Sequence, residues 1–284
     1  VGESLDSLGV APALVYVGSI FVIHLLRTFR WHLMVRALDP EQPLWRSVRI
    51  SFLGFAAVFL VPLRLGELAR PVLLRKARGI PVSAGIGTVA VERTVDGLFM
   101  VLVLVLSVLA SGASDPVLWT MGGIAACIFG GAALAFASMA LAPELAERFW
   151  RLVLKPVGPV WADRVIGLLQ GFIEGLSSLP TWRVRLIYLG CTFAYWALNA
   201  WGMTYLAQSM GIEISLAQGC LVMALLVVGI MVPAGPGSIG TFHAPIIFAL
   251  SSLFGVATPQ AQAYALVLHL LQVAHMIVVA LPFV

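Results

Sequence analysis

The stretch Val232-Pro-Ala-Gly-Pro-Gly-Ser-Ile-Gly-Thr-Phe-His243 decides how this chain folds. Strongly apolar sequence flanks it, from Leu221 to Val232 before it and from Pro245 to Phe254 after it. Proline lacks the amide hydrogen that a helix needs and glycine is costly inside one, so no α-helix can continue through the stretch. At membrane depth, the free backbone groups of such a break need protein or water partners. Many transporters build a polar site from a helix interrupted in this way.

The composition places this break inside a membrane protein. Of 284 residues, 61% are apolar and 11% are charged, and the mean hydropathy is +1.01. These values exclude an ordinary soluble domain and predict a single all-α transmembrane domain over residues 1–284. The formal charge of +4 therefore concerns membrane topology, and we expect no nucleic-acid partner. The three cysteines are isolated, and we expect neither a metal site nor a cofactor.

About five apolar segments are long enough to cross a membrane. They are Val10–Leu26, Ser83–Leu109, Leu118–Leu141, Leu186–Leu206 and Ala263–Leu281. All 17 Lys and Arg residues fall either in segments that we assign to the cytoplasmic side or, as Arg93, inside a span. By the positive-inside rule, the N-terminus is predicted outside and the C-terminus inside. We expect a bacterial or archaeal cytoplasmic membrane.

Two shorter apolar segments are predicted to form re-entrant hairpins. Ile50 to Pro62 is too short to cross alone, and basic residues flank it on both sides, so we expect it to enter from the inside. The segment Leu221 to Phe254 contains the proline-glycine break at Val232 to His243, and the loop Gly255 to Gln262 after it has no charge. This second hairpin is predicted to enter from the outside, with the opposite orientation.

An internal repeat relates the two hairpins. Trp31–Pro62 and Trp201–Pro233 each run from the end of a span through a polar loop into a short helix that ends in Val-Pro. An odd number of spans separates them, so the repeat is predicted to be inverted. The halves cover about residues 10–110 and 186–284, joined by a span and by the amphipathic segment 143–185 at the cytoplasmic interface. Transporters with this architecture bind their substrate between the halves.

Three charged residues lie inside the second predicted span, at Glu92, Arg93 and Asp96. Charges at such depth are costly and usually face the protein interior with partners. Their spacing of three and four residues lets them share a helix face. Two interpretations are open: an ion pair that only fixes packing, or a site in which Arg93 binds an anionic headgroup while the carboxylates position it or accept a proton.

The first hairpin supplies Arg64, Glu67 and Arg70 close to its break. Glu67 would lie in the first turn of the next helix, where the helix dipole favours a carboxylate. The alternative is an ordinary basic interfacial helix whose arginines reach lipid phosphates. The predicted structural breaks are Pro62, Gly66, Pro233, Gly235, Pro236, Gly237 and Gly240.

In the second hairpin, Ser238, Gly240 and Thr241 introduce a half-helix whose free amides would attract an anion. The alternative is a kink that only lets helices pack closely. His243 is expected to be a hydrogen-bonded interior or interfacial side chain.

Tyr195, Trp196 and Asn199 give one span a polar face. That face would line a cavity or pack at the membrane interface.

Several of these blocks together resemble a known family, the lysylphosphatidylglycerol synthase transmembrane region, also described as flippase-like integral membrane proteins. The blocks are Pro62-Leu-Arg-Leu-Gly-Glu-Leu-Ala-Arg70, Gly79, Val91-Glu-Arg-Thr-Val-Asp96 and Pro233-Ala-Gly-Pro-Gly-Ser-Ile-Gly240. The resemblance implies movement of a lipid or lipid-linked headgroup between leaflets, with functional weight on the charged residues of these blocks and on the Gly-Pro-Gly break. Members commonly have a carboxylate where this chain has His243.

The sequence therefore predicts a flippase-like transporter rather than an enzyme. The headgroup would be anionic or zwitterionic, phosphate-bearing groups included, on a membrane phospholipid or a polyprenyl-linked lipid. The alternative is a membrane enzyme or an accessory subunit that presents a lipid carrier to a lipid-modifying or glycosyl-transferring enzyme. A homo-oligomer or a lipid-modifying enzyme partner is possible.

Overall fold

The computed structural model describes residues 9–61, 66–111, 116–163, 166–167, 181–231 and 235–283. These ranges are helical with short connections, and none of them contains a β-strand. Three of the described helices are long and apolar enough to cross a membrane: Val10–Leu38, Val82–Ala110 and Thr258–Phe283. The prediction of an all-α integral membrane protein is confirmed, whereas the number of spans and the re-entrant course of the hairpins stay predictions.

The helices are numbered here in chain order. They are α1 (Val10–Leu38), α2 (Leu44–Leu60), α3 (Ala69–Arg78), α4 (Val82–Ser111), α5 (Pro116–Leu141), α6 (Pro143–Val153), α7 (Trp182–Ser209), α8 (Leu216–Met231), α9 (His243–Ile247) and α10 (Thr258–Ala280). Helix α9 continues directly into a π-helical segment, Phe248–Leu253. Short 3₁₀ turns occur at Lys155–Val157, Pro236–Ser238 and Leu281–Phe283.

The break that the sequence predicts between two short helices is present. Helix α8 ends at Met231, and α9 begins at His243. Between them, Gly237 and Gly240 have φ of 72° and 93°, in the left-handed region that glycine adopts without strain. Gly235 is extended and Pro236 opens the 3₁₀ turn. Pro233 lies outside the described residues.

The first hairpin is interrupted in the same way. Helix α2 ends at Leu60 and α3 begins at Ala69. Gly66 approaches the preceding helix so closely that an added Cβ would lie 2.1 Å from the Ala57 carbonyl oxygen. Only glycine fits such an approach of two backbones. Pro62 and Arg64 lie outside the described residues.

Helix α1 departs from the predicted boundaries. It does not end near Leu26 but continues to Leu38, and α2 begins at Leu44 rather than at Ile50. Arg27 and Arg30 therefore lie within the same helix as the predicted span, and the cytoplasmic side that we assign to them stays a prediction. The physical reason is pairing: Arg30 is fully buried, and carboxylates of α4 neutralise it.

The order of helices is repeated in the chain. The first group runs long, short, short, long through α1 to α4, with 29, 17, 10 and 30 residues. The second runs from α7 with 28 residues and α8 with 16 through α9 and its π-helical extension to α10 with 23. Helix α1 packs against α7, α2 against α10, and α8 against α4. In the two groups, α1 is equivalent to α7, α2 to α8 and α4 to α10. If each helix is replaced by its equivalent, the same three contacts result.

The main apolar core joins α1, α4, α7, α8, α9 and α10. It contains Leu104, Met203, Leu225, Ile246 and Leu268, each at most 1% exposed. Glycines bring several of these helices close, as small residues do in membrane proteins. An added Cβ would lie 1.8 Å from Thr204 Oγ1 at Gly219 and 2.2 Å from Pro245 Cγ at Gly229.

Helix α6 belongs to the segment predicted at the membrane interface. Leu145, Phe149 and Leu152 are exposed along it, while Ala146 is buried against α5. An exposed apolar stripe beside charged residues suits a helix that lies in an interface. Its position relative to the membrane stays a prediction.

Candidate functional site

The charged residues of α4 meet an arginine that the sequence analysis assigned to the cytoplasmic end of the first span. Arg30 of α1 donates to both Asp96 carboxylate oxygens, at 2.5 and 2.9 Å. It also donates to Thr192 Oγ1 at 2.9 Å, and the Tyr195 hydroxyl donates to Asp96 Oδ1 at 2.5 Å. Arg30 is fully buried and Asp96 is 6% exposed. Helices α1, α4 and α7 are therefore joined through one buried carboxylate.

Glu92 extends this arrangement to the first hairpin. Its Oε2 lies 2.6 Å from Arg70 Nη2, and its Oε1 lies 3.4 Å from Arg30 Nη2. The Arg70 guanidinium also lies over the ring of Trp31, 5.3 Å from its centre. We call Arg30, Arg70, Glu92 and Asp96 the inner cluster. The prediction that Glu92 and Asp96 share a helix face agrees with this geometry, and both of their partners come from other helices.

Arg93 points away from the inner cluster. Its Nε lies 3.7 Å from Glu67 Oε2, which is too long for an ordinary hydrogen bond. The Arg93 side chain is 37% exposed and that of Glu67 is 20% exposed. Arg93 forms no ion pair with Asp96 in the described part of the chain. The expected pairing inside α4 is thus replaced by a loose contact with the first hairpin.

A cavity of about 340 Å³ lies between the two groups of helices. Residues from α1, α2, α3, α4, α7, α8 and α10 line it, together with Glu67 just before α3 and Phe242 just before α9. Its charged part contains Arg27, Arg70, Arg93, Glu67 and Asp96. The rest is mostly apolar and includes Met203, Met223, Leu226, Ile230 and Met276. The arrangement suits a ligand with one charged end and an apolar remainder.

Arg27 is a site residue that sequence reasoning missed. It lines the cavity, and its guanidinium lies 4.5 Å from the centre of the Phe55 ring. No described carboxylate forms an ion pair with it. We call Arg27, Arg93 and Glu67 the cavity group. The signal that could have found Arg27 is its spacing from Arg30, since residues three apart lie on neighbouring parts of one helix face.

Among the described residues, the break between α8 and α9 contributes less to the cavity than we expected. Phe242 lines the cavity, whereas Ser238, Thr241 and His243 are not among the residues that line it. The Thr241 hydroxyl donates to the Ser238 carbonyl at 3.1 Å, and the Phe242 amide donates to the same oxygen. The local turn therefore uses groups that the sequence suggested for an anion.

His243 contacts the last helix. Its Nε2 lies 3.3 Å from His269 Nδ1, and the His269 ring stacks on Phe242 with 4.4 Å between ring centres. This geometry agrees with the expectation of a hydrogen-bonded interior histidine. In the described part of the chain, no group of three or more His, Cys, Asp and Glu side chains is arranged to hold a metal ion.

The polar face predicted on α7 belongs to the cavity. Tyr195, Trp196 and Asn199 all line it. Tyr195 and Trp196 are 2% and 8% exposed, so most of their ring surface is covered by protein. Of the two interpretations of this face, cavity lining is the one that the structure supports.

The family comparison agrees with this architecture. The family profile described as the Lysylphosphatidylglycerol synthase TM region matches residues 1–280. A search of curated proteins and a search of solved structures each found no match. The family match extends over nearly the whole chain, including both interrupted hairpins and the charged helix α4. The chain therefore belongs to the lysylphosphatidylglycerol synthase transmembrane-region family.

Proposed function

We propose that this protein is a flippase-like transporter that moves a lipid or lipid-linked headgroup between the leaflets of a membrane. The observation that carries the proposal is the cavity between the two groups of helices, which Arg27 and Arg93 line. Ionisable groups at membrane depth are costly and usually mark a substrate pathway when they face a cavity. Neither arginine has a tight carboxylate partner among the described residues, so both are available to a ligand.

The balance of charge favours a phosphate-bearing, anionic or zwitterionic headgroup. Among the described residues that line the cavity, the guanidinium groups of Arg27, Arg70 and Arg93 outnumber the carboxylates of Glu67 and Asp96. Guanidinium groups bind phosphate oxygens through two parallel hydrogen bonds. A bound phosphate would therefore complete the neutralisation that Glu67 provides only in part.

The cavity has a side on which lipid chains could remain. Val58 near the end of α2 and Ile230 and Met231 at the end of α8 line it. Leu60 and Met231 are 65% and 44% exposed at these same helix ends. Acyl or prenyl chains could stay against this apolar surface while the headgroup moves through the cavity.

The relation between the helix groups supports transport by alternating access. Helices α1 and α7 hold the same place in the two groups, and they run antiparallel. Arg30 contacts Thr192, while an added Cβ at Gly202 would lie 2.7 Å from Ser19 Oγ. Antiparallel equivalent helices are what inverted halves at residues 10–110 and 186–284 would require. Inverted-repeat transporters expose a central site to each side in turn.

Reconstitution tests the proposal. Purified protein is placed in phosphatidylglycerol vesicles that contain a trace of phosphatidylglycerol labelled on an acyl chain, and dithionite is added to bleach the outer leaflet. We expect the protein to expose inner-leaflet label to dithionite, and Arg93→Ala or Glu67→Ala to abolish this effect. Arg151→Gln is the matched control, because Arg151 pairs with Glu147 and Asp163 on α6 and beyond it. Bleaching equal to that of protein-free vesicles would overturn the proposal.

A membrane enzyme, or an accessory subunit that presents a lipid carrier to a lipid-modifying or glycosyl-transferring enzyme, is the alternative outcome. Acid-base chemistry would rest on Glu92 and Asp96, which are 2% and 6% exposed and bound by guanidinium groups. Both carboxylates are thus buried and already bound within the protein, which favours the transporter. Recovery of chemically unchanged lipid from the opposite leaflet distinguishes a transporter from an enzyme that modifies the lipid. A homo-oligomer, or a complex with such an enzyme in a cytoplasmic membrane, is compatible with transport.

A further inference from the structure

A second set of polar groups lines the cavity beyond the cavity group. It consists of Tyr16 on α1, Asn199 on α7 and Gln272 on α10. The Gln272 carboxamide donates to the Tyr16 hydroxyl at 2.9 Å. No described residue forms a hydrogen bond with the Asn199 carboxamide, which is partly exposed to the cavity. All three groups are uncharged, and each offers both hydrogen-bond donors and acceptors.

The antiparallel packing of α1 and α7 sets the distance between these groups and the arginines. Thr192 lies level with Arg30, and Gly202 lies level with Ser19. Asn199 therefore lies level with a point on α1 about five residues before Arg27. At the rise of an α-helix, these five residues correspond to about 7 Å along the helix axis. Tyr16 and its partner Gln272 lie further along, about 16 Å from Arg27 by the same rise. A headgroup whose phosphate lies at the cavity group would extend towards Asn199 first.

An amine headgroup would need a carboxylate or an exposed aromatic face, and the second set of polar groups provides neither. Both carboxylates that line the cavity, Glu67 and Asp96, belong to its arginine end, and Asp96 is already bound by Arg30 and Tyr195. The aromatic rings do not replace them as an amine site. The described rings that line the cavity are each at most 8% exposed, so their faces are largely covered by protein; they are Tyr16, Phe55, Tyr195, Trp196 and Phe242. Carboxamides, by contrast, suit hydroxyl groups, because each hydroxyl both donates and accepts.

We infer that the cavity selects a hydroxyl-bearing phosphate ester, with the phosphate at Arg27 and Arg93 and the headgroup hydroxyls at Asn199. A glycerol headgroup would reach Asn199, and a larger sugar would reach the Gln272 and Tyr16 pair as well. This inference rests on the proposed function for the lipid nature of the ligand. The site chemistry is the same for a lipid headgroup and for a free phosphate ester.

Binding of defined lipids to the purified full chain tests the inference independently of transport. Native mass spectrometry measures the relative affinities for dioleoyl phosphatidylglycerol, for phosphatidic acid, which keeps the phosphate but lacks the glycerol, and for phosphatidylethanolamine. We expect Asn199→Leu to lower the affinity for phosphatidylglycerol about three- to tenfold, as the loss of one or two hydrogen bonds predicts. The affinity for phosphatidic acid should not change. Arg27→Gln should lower the affinity for all three lipids.

Two further variants keep the test specific. Asn199→Asp introduces a carboxylate and should lower the ratio of phosphatidylglycerol to phosphatidylethanolamine bound by about tenfold, the effect of about 1.4 kcal/mol. Gln262→Leu is the control, because it removes an exposed carboxamide that does not line the cavity. Since each result is a ratio between lipids in one sample, partial unfolding of a variant does not mimic it.

The outcomes separate this inference from the proposed function. An unchanged ratio of phosphatidylglycerol to phosphatidic acid in Asn199→Leu would overturn the inference and leave transport standing. Free sn-glycerol 3-phosphate that binds as tightly as the lipid would support the site chemistry and count against a lipid transporter. Selective binding without movement of labelled lipid would likewise support the inference and overturn the proposed function.

Discussion

The inner cluster and the cavity group use the same residue types for different purposes. In the inner cluster, Arg30 is fully buried and donates to Asp96 at 2.5 and 2.9 Å. In the cavity group, Arg93 is 37% exposed and lies 3.7 Å from Glu67. The first arrangement satisfies its charges within the protein. The second leaves positive charge that a ligand can neutralise.

The contrast is sharpest at two adjacent residues of α4. Glu92 and Arg93 point about 100° apart around the helix. Glu92 enters the inner cluster, and Arg93 enters the cavity group. A charged residue in a membrane helix is thus not a site residue by its presence alone. The completeness of its pairing distinguishes a structural role from a role in binding.

The largest expected effect is the loss of Arg30. Arg30→Leu leaves Asp96 and Glu92 buried with less compensation, and removing one partner of a buried ion pair costs about 3–5 kcal/mol. We expect little folded protein, measured as the monodisperse fraction and the midpoint of thermal unfolding in detergent. Arg93→Leu is the matched control, from the cavity group. Equal unfolding midpoints for the two variants would contradict the division into two groups.

Gly54→Ala should weaken the inner cluster from the side of the first hairpin. An added Cβ at Gly54 would lie 2.3 Å from Arg70 Cγ, so Arg70 must shift and its bond to Glu92 must lengthen. Overpacking of this kind costs about 1–3 kcal/mol. Gly131→Ala is the control, because no atom lies within 4 Å of its added Cβ. A thermal midpoint for Gly54→Ala as high as that of the control would contradict the prediction.

Arg93→Gln should separate binding from stability. The ion pair with Glu67 is long and only partly buried, so it should contribute about 1 kcal/mol or less and the unfolding midpoint should change little. Lipid movement, in contrast, should fall to the level of protein-free vesicles. Measuring both quantities on one preparation tests the point. A large loss of stability with normal transport would reverse the roles that we assign to the two groups.

The smallest effect is expected at a partly buried pair outside the membrane-spanning segments. The Arg78 guanidinium donates hydrogen bonds to Asp39, which lowers the pKa of that carboxyl below its ordinary value. The pair should therefore stabilise the protein above the unfolded-state pKa of Asp39, about 3.9. This stabilisation should be lost as the pH falls through the lower folded-state pKa. Asp39→Asn should remove only this pH dependence, which is measured as the midpoint of thermal unfolding at several acidic pH values. If the variant and the parent protein had the same pH dependence, the prediction would be contradicted.

Much of the architecture could be predicted because it depends on local chemistry. Proline and glycine end a helix wherever they lie, so the break before His243 followed from composition alone. The polar face of Tyr195, Trp196 and Asn199 followed from helical spacing. The continuous apolar runs predicted the membrane helices in the same way.

The partners of the charged residues could not be predicted because they lie far away in sequence. Arg30 meets Asp96 across 66 residues and Thr192 across 162. The positive-inside rule places an arginine at a span end in a loop, since a lone charge in lipid is costly. Only the tertiary structure supplies the buried carboxylate that lets α1 continue beyond Arg30.

The sequence by itself thus determined that this is a helical membrane protein, where its helices are interrupted, and which helix carries the buried charges. These features follow from apolar length, backbone geometry and the energy of ions in lipid, which act on neighbouring residues. The tertiary structure decided which arginines have a close carboxylate partner and which face the cavity without one among the described residues. That choice depends on contacts between helices, because a charge is satisfied by the groups around it in space.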